Sequence, residues 1–200
     1  MVFRSRGSHS SGGRSFNAGR IIVALVIAGF SLLSYCSSRS YNPVTDETQY
    51  VAISPEQEIA LGLQAAPEMV QQFGGMDTDS QAQALLDKVC NRILTESEAG
   101  ETDWPFECHL LGDDQTINAF ALPGGQLFIT AALYDQLETE GQLAGVMAHE
   151  IAHVIARHSS QQIAKQRLTE GLTGAAVIAT YDPDNRSSSQ SAQLALLIGQ

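Results

Sequence analysis

Residues 145–158 read GVMAHEIAHVIARH, and the rest of the chain is best read outward from them. An α-helix turns about 100° per residue, so His149 and His153 fall about 40° apart on one face, one turn from each other. Two imidazole nitrogens so placed can reach a single zinc ion at about 2.0–2.1 Å. Glu150 lies on the flank of that face, badly placed as a third ligand. It is well placed to take a proton from a water that zinc acidifies to a pKa of about 7, and to hand it on to a leaving amine. Five residues thus supply two metal ligands, His149 and His153, and one general base, Glu150. The neighbours Val146, Met147, Ile151, Val154 and Ile155 are apolar. Two histidines and a glutamate among them would be costly without a partner.

The apolar periodicity predicts one long central helix from about Thr139 to Leu168. On such a helix His158 lies about 180° from His149, which makes it a surface or second-layer residue rather than a ligand of the same metal. The metzincin pattern wants glycine and histidine where this chain has Ala156 and Ser159, so that class is excluded. A catalytic zinc site needs a third protein ligand. The downstream candidates are Glu170, Asp182 and Asp184, none of them in a clear motif. His9 and His109 read as non-functional.

Upstream, Ser54-Pro55-Glu56-Gln57 resembles a capping box that opens a helix running to about Phe73, with Pro67 expected to kink it and Gly74-Gly75 to stop it. A second amphipathic helix fits Ser80 to about Ser97. Trp104–Leu111, Ile117–Leu122 and Gln126–Thr130 read as strands. The last two should form a hairpin across Pro123-Gly124-Gly125, with a short helix over Ala131–Leu137 after it. Asp182–Ser191 reads as a loop and Ala192–Ile198 as the start of a further helix.

Residues 1–20 are expected to be a disordered basic leader, too poor in large apolar groups to build a core. Ile21–Tyr35 is almost wholly apolar, and residues 21–36 are expected to be a membrane anchor or uncleaved signal. Residues 37–53 read as an extended linker and 54–200 as the main domain. The arginines before the apolar run favour a cytoplasmic N-terminus and a body outside the cytosol. The first 40 residues hold five of the 11 basic residues and no acid. The remainder sets six bases against all 22 acids, a net of −16, which argues against nucleic-acid binding. If the body is exported, Cys90 and Cys108 could pair. Two buried thiols are the alternative.

Three blocks together resemble a known family: Ser54-Pro-Glu-Gln-Glu58; Asn118-Ala-Phe-Ala-Leu-Pro-Gly-Gly125 with Leu127-Phe-Ile-Thr130; and Gly141-Gln-Leu-Ala144 leading into His149-Glu-Ile-Ala-His153 and Arg157-His158. They are similar to the HtpX/BepA-like zinc peptidases, membrane-associated quality-control proteases. The resemblance implies an α+β, zincin-like domain of gluzincin type, mostly helical, with a small sheet or hairpin beside the metal-binding helix. It implies one Zn2+ per chain on His149, His153 and a downstream glutamate, with Glu150 as base. It also implies substrate binding along Asn118, Ala119, Phe120, Gly124 and Gly125, where an edge strand would pair with an extended peptide. The alternative for that block is a hairpin turn with Phe120 in the core. The implied glutamate belongs to an acidic helix for which no motif occurs before Gln200, so the chain is expected to be the front part of a longer protein.

The expectation is therefore a zinc endopeptidase cleaving unfolded or membrane proteins in quality control. It would be anchored on the periplasmic side of a bacterial inner membrane, with a lipoprotein signal ending at Cys36 or a mitochondrial inner-membrane protein as alternatives. A chaperone-like binding module with an incomplete metal site is the rival.

Overall fold

The computed structural model describes residues 18–181. The expected features at 182–198, Asp182 and Asp184 among them, lie outside the described residues. Two compact units are present, one of residues 32–168 and one that contains, among the described residues, 18–31 and 169–181. In the second unit Ala24 and Ala175 are buried. Arg20 donates to the Tyr181 carbonyl at 2.8 Å. Helix α1, Ala18–Ser37, is long and apolar enough to cross a membrane.

The larger unit is built on a three-stranded sheet of β3 (Glu107–Leu111), β4 (Ala119–Ala121) and β5 (Gln126–Thr130) in the order β3-β5-β4. β5 is central and every residue in it is buried. It pairs antiparallel with β4, as the Pro-Gly-Gly turn demands, and parallel with β3. Side chains alternate across a strand. Leu127 and Ile129 therefore join Leu86, Val89 and Cys90 of α3 (Ser80–Glu96) and Leu143, Met147, Ile151 and Val154 of α5 (Glu140–Ile155) in the main core. Phe128 faces the other way, stacks on Phe120 and His109, and through Phe120 reaches Phe73 at the end of α2 (Pro55–Gln72). The sheet is thus covered on both faces. The architecture is α+β and mostly helical, as expected.

The helix starts follow their caps. Ser54 and Thr139 each form a complete capping box, and Asp79 accepts from Gln81 and Ala82; each cap contributes about 1 kcal/mol. The expected kink at Pro67 does not break α2. Both Pro67 and Leu63 are exposed, so water can satisfy the carbonyl that the missing proline N–H leaves free. α4 is short, Ala131–Tyr134.

Two expectations are corrected. The linker after α1 is a hairpin, β1 (Arg39–Asn42) paired with β2 (Glu47–Tyr50). Its buried amides explain this: Asn42 donates to the Ile155 carbonyl at 2.7 Å and Gln49 to Ala156 at 2.9 Å, satisfying the end of α5. The long central helix is in fact two, α5 and α6 (His158–Thr180), because Arg157 adopts φ +54°.

Cys90 of α3 and Cys108 of β3 form a disulfide spanning 18 residues. Reducing it should destabilise the chain by about 2–4 kcal/mol. The readout is a lower thermal midpoint of the full chain in detergent with reductant; an unchanged midpoint would mean the link does not hold α3 to β3.

Candidate active site

α5 enters from its Thr139 capping box and lays His149 and His153 on one face. Their Nε2 atoms lie 3.0 Å apart, and the rings meet edge to face with centroids at 4.6 Å. Two nitrogens bonded to one tetrahedral zinc at 2.0–2.1 Å are about 3.3 Å apart. The pair therefore fits a shared metal with only a small ring adjustment. Among the described residues no group of three or more His, Cys, Asp or Glu side chains converges as a metal site, and Glu170 falls in the other compact unit.

Glu150 is 9 % exposed. Burial pushes its carboxyl above the usual range, while His153, His149 and the Ala121 N–H pull it back. A shift in this direction makes the carboxylate a stronger base than a solvent-exposed glutamate. The Ala121 N–H comes from β4. In the ladder, Thr130 donates to Asn118 and Leu122 to Gln126. The alternation turns the Ala119 and Ala121 backbone away from β5, toward the open edge. β4 therefore both tethers Glu150 and presents free strand groups beside it.

Between β4 and α5 opens a cleft of about 650 Å³ lined by Ile117, Asn118 and Ala119, by Leu133 and Leu137, and by Val146, His149 and Glu150. The structure thus brings Asn118 and Ala119 to His149 and Glu150. Phe120 turns instead into the aromatic stack on the opposite face. Gly124 and Gly125 form the turn, at φ +81° and +111°, and a side chain at Gly124 would meet the backbone of α2 at Ile59. For these three residues the packing alternative describes the structure.

Sequence reasoning missed the apolar cleft wall, because Leu133 and Leu137 belong to a different element from the motif. It also missed what holds the end of α5. Arg157 donates to the Glu58 carboxylate from Nη2 at 2.6 Å and Nε at 2.8 Å, and from Nη2 to the Ile53 carbonyl at 2.8 Å. Its guanidinium also lies over Trp104 at 6.0 Å. Glu58 is 1 % exposed; burial raises its pKa, opposed by Arg157. With the helix broken at Arg157, His158 sits against His153, ring centroids 4.7 Å apart, and not on the far side of a continuous helix. It faces His153 Nδ1, away from the Nε2 pair.

The family model Peptidase family M48 matches residues 80–199, more than half of the chain. The chain belongs to peptidase family M48. It is 32% identical over 148 residues to the mitochondrial metalloendopeptidase OMA1 of Schizosaccharomyces pombe, covering 73% of this chain and 43% of that protein. It is 31% identical over 158 residues to the beta-barrel assembly-enhancing protease of Yersinia pestis, covering 79% of this chain and 32% of that one. Human OMA1 is 24% identical, over 74% of this chain and 29% of its own length. This M48 chain thus spans less than half the length of these curated relatives.

Because Arg157 is largely buried, Glu58→Ala should strand its charge and cost about 3–5 kcal/mol. Thermal unfolding of the full chain in detergent measures this, and a midpoint within 2 °C of wild type would contradict it.

Proposed function

We propose that this M48 metallopeptidase is a zinc-dependent endopeptidase, anchored to a membrane through α1, that hydrolyses unfolded or membrane-associated proteins outside the cytosol. One observation carries the reading: His149 and His153 converge on one point, with the buried carboxyl of Glu150 beside them, at the mouth of a cleft bordered by an open strand edge. When bound, zinc supplies Lewis acidity that polarises a carbonyl and makes water nucleophilic near neutral pH. His149 and His153 would hold it. Glu150 takes the proton from the attacking water and returns it to the departing amine, with Ala121 N–H keeping its carboxylate aimed. Ala119 offers an N–H and a carbonyl to an extended peptide. That reads backbone rather than sequence and suits unfolded substrates. Ile117, Leu133, Leu137 and Val146 give an apolar side chain a place to bury.

The Cys90–Cys108 disulfide supports a location outside the reducing cytosol. The relatives' names, a mitochondrial metalloendopeptidase and a beta-barrel assembly-enhancing protease, support a quality-control role at a membrane. The donor set favours a second reading: with no third side chain among the described residues converging on the point that His149 and His153 share, the same cleft could hold unfolded chains without cutting them.

Glu150→Gln separates the two. For an enzyme, hydrolysis of an unfolded protein such as reduced casein falls by at least a thousandfold while bound zinc stays at the wild-type level; for a binder, capture of the same chain is unchanged and no wild-type cleavage is seen. Ala119→Pro removes one strand-edge N–H at an edge position that tolerates proline. It should lower kcat/KM for extended substrates about fivefold to tenfold, the worth of one hydrogen bond. Equal kinetics in the two proteins would remove β4 from substrate binding.

A further inference from the structure

His153 has both ring nitrogens engaged. Nε2 faces His149 Nε2 at 3.0 Å, and Nδ1 is hydrogen-bonded to His158 Nδ1. An imidazole that binds metal through Nε2 carries its proton on Nδ1. The group that accepts this proton fixes the tautomer and the ring plane. The usual acceptor is a carboxylate or a backbone carbonyl. Here it is another histidine, and its arrival depends on the helix break. On an uninterrupted helix five residues turn about 500°, which would swing His158 about 140° away from His153. The left-handed turn at Arg157 brings it back. That conformation is strained for an arginine, and the Glu58 carboxylate and the Ile53 carbonyl hold it in place.

We infer that His158 is a positioning residue for His153: its Nδ1 accepts the His153 Nδ1–H, which leaves the His153 Nε2 lone pair directed at the point it shares with His149. His158 then carries its own proton on Nε2. The Glu58–Arg157 pair acts one step further back, by fixing the turn that presents His158. This assignment rests on the reading that His149 and His153 hold zinc, and the tests below are chosen to fail separately from it.

Two variants of the full chain in detergent decide it. His158→Leu removes the acceptor. His158→Asn keeps one, because an asparagine Oδ1 falls close to where a histidine Nδ1 stood. Zinc affinity, read by competition with a chromophoric chelator, should drop 10- to 100-fold in His158→Leu and stay within about threefold of wild type in His158→Asn. Nitrogen-15 spectra of the metal-free histidines should show His153 as the Nδ1–H tautomer in wild type and His158→Asn, and a mixture of tautomers in His158→Leu. Thermal midpoints of the three metal-free proteins should agree, which separates ring orientation from general packing. Wild-type affinity and tautomer in His158→Leu would overturn the assignment, as would an asparagine variant as weak as the leucine one. If wild type takes up no zinc, the metallopeptidase reading fails on its own, and the tautomer spectra alone then uphold or overturn the His158–His153 hydrogen bond.

Discussion

The arrangement of the larger unit hangs on one buried ion pair. Glu58 and Arg157 are 99 residues apart in sequence and join in the interior. A buried pair of this kind returns little net energy against apolar replacements, because both charges lose their hydration. What it gives is position. It ties the start of α2 to the residue that ends α5, in a backbone conformation that arginine adopts only under constraint. The start of α6, with His158, is placed by that constraint.

β5 is the second fixed element. Completely buried and paired on both sides, it sets the register of β4 and, through Leu127 and Ile129, the depth at which α5 packs. Alanines at 119 and 121 keep β4 thin on the side that faces α5, so the Glu150 carboxylate can reach a main-chain N–H of the strand. A large side chain there would hold helix and strand apart. The hairpin of β1 and β2 completes the enclosure by bonding the last carbonyls of α5. α5 is thus held by its cap at one end and by side-chain amides at the other.

Much of this was legible in the chain. The His149–Glu150–His153 spacing, the cap at Ser54, the helix start near Thr139, and the strand-turn-strand around Pro123-Gly124-Gly125 are local signals, and the structure follows them to within a few residues. What stayed hidden was imposed from a distance. Ala156-Arg157-His158 contains neither glycine nor proline, so nothing local marks the break; it comes from a carboxylate in another helix. The β1–β2 hairpin has strands of only four residues and owes its shape to acceptors on α5. The parallel pairing of β3 with β5 joins segments whose own sequences carry no mark of direction. The role of Phe120 turned on strand phase: one residue in either direction would have moved it from the aromatic stack into the cleft.

The tether between Ala121 and Glu150 has a geometric consequence. Ala119 and Ala121 are two residues apart on one strand, about 6.6–6.8 Å along it, and one presents its main chain to the cleft while the other anchors the carboxylate. On the function proposed above, seat and reagent would be graduations on the same ruler. A peptide laid along the seat would meet the carboxylate at an offset set by strand pitch, whatever its side chains. Selection of the bond would then be by measured length rather than by spelling.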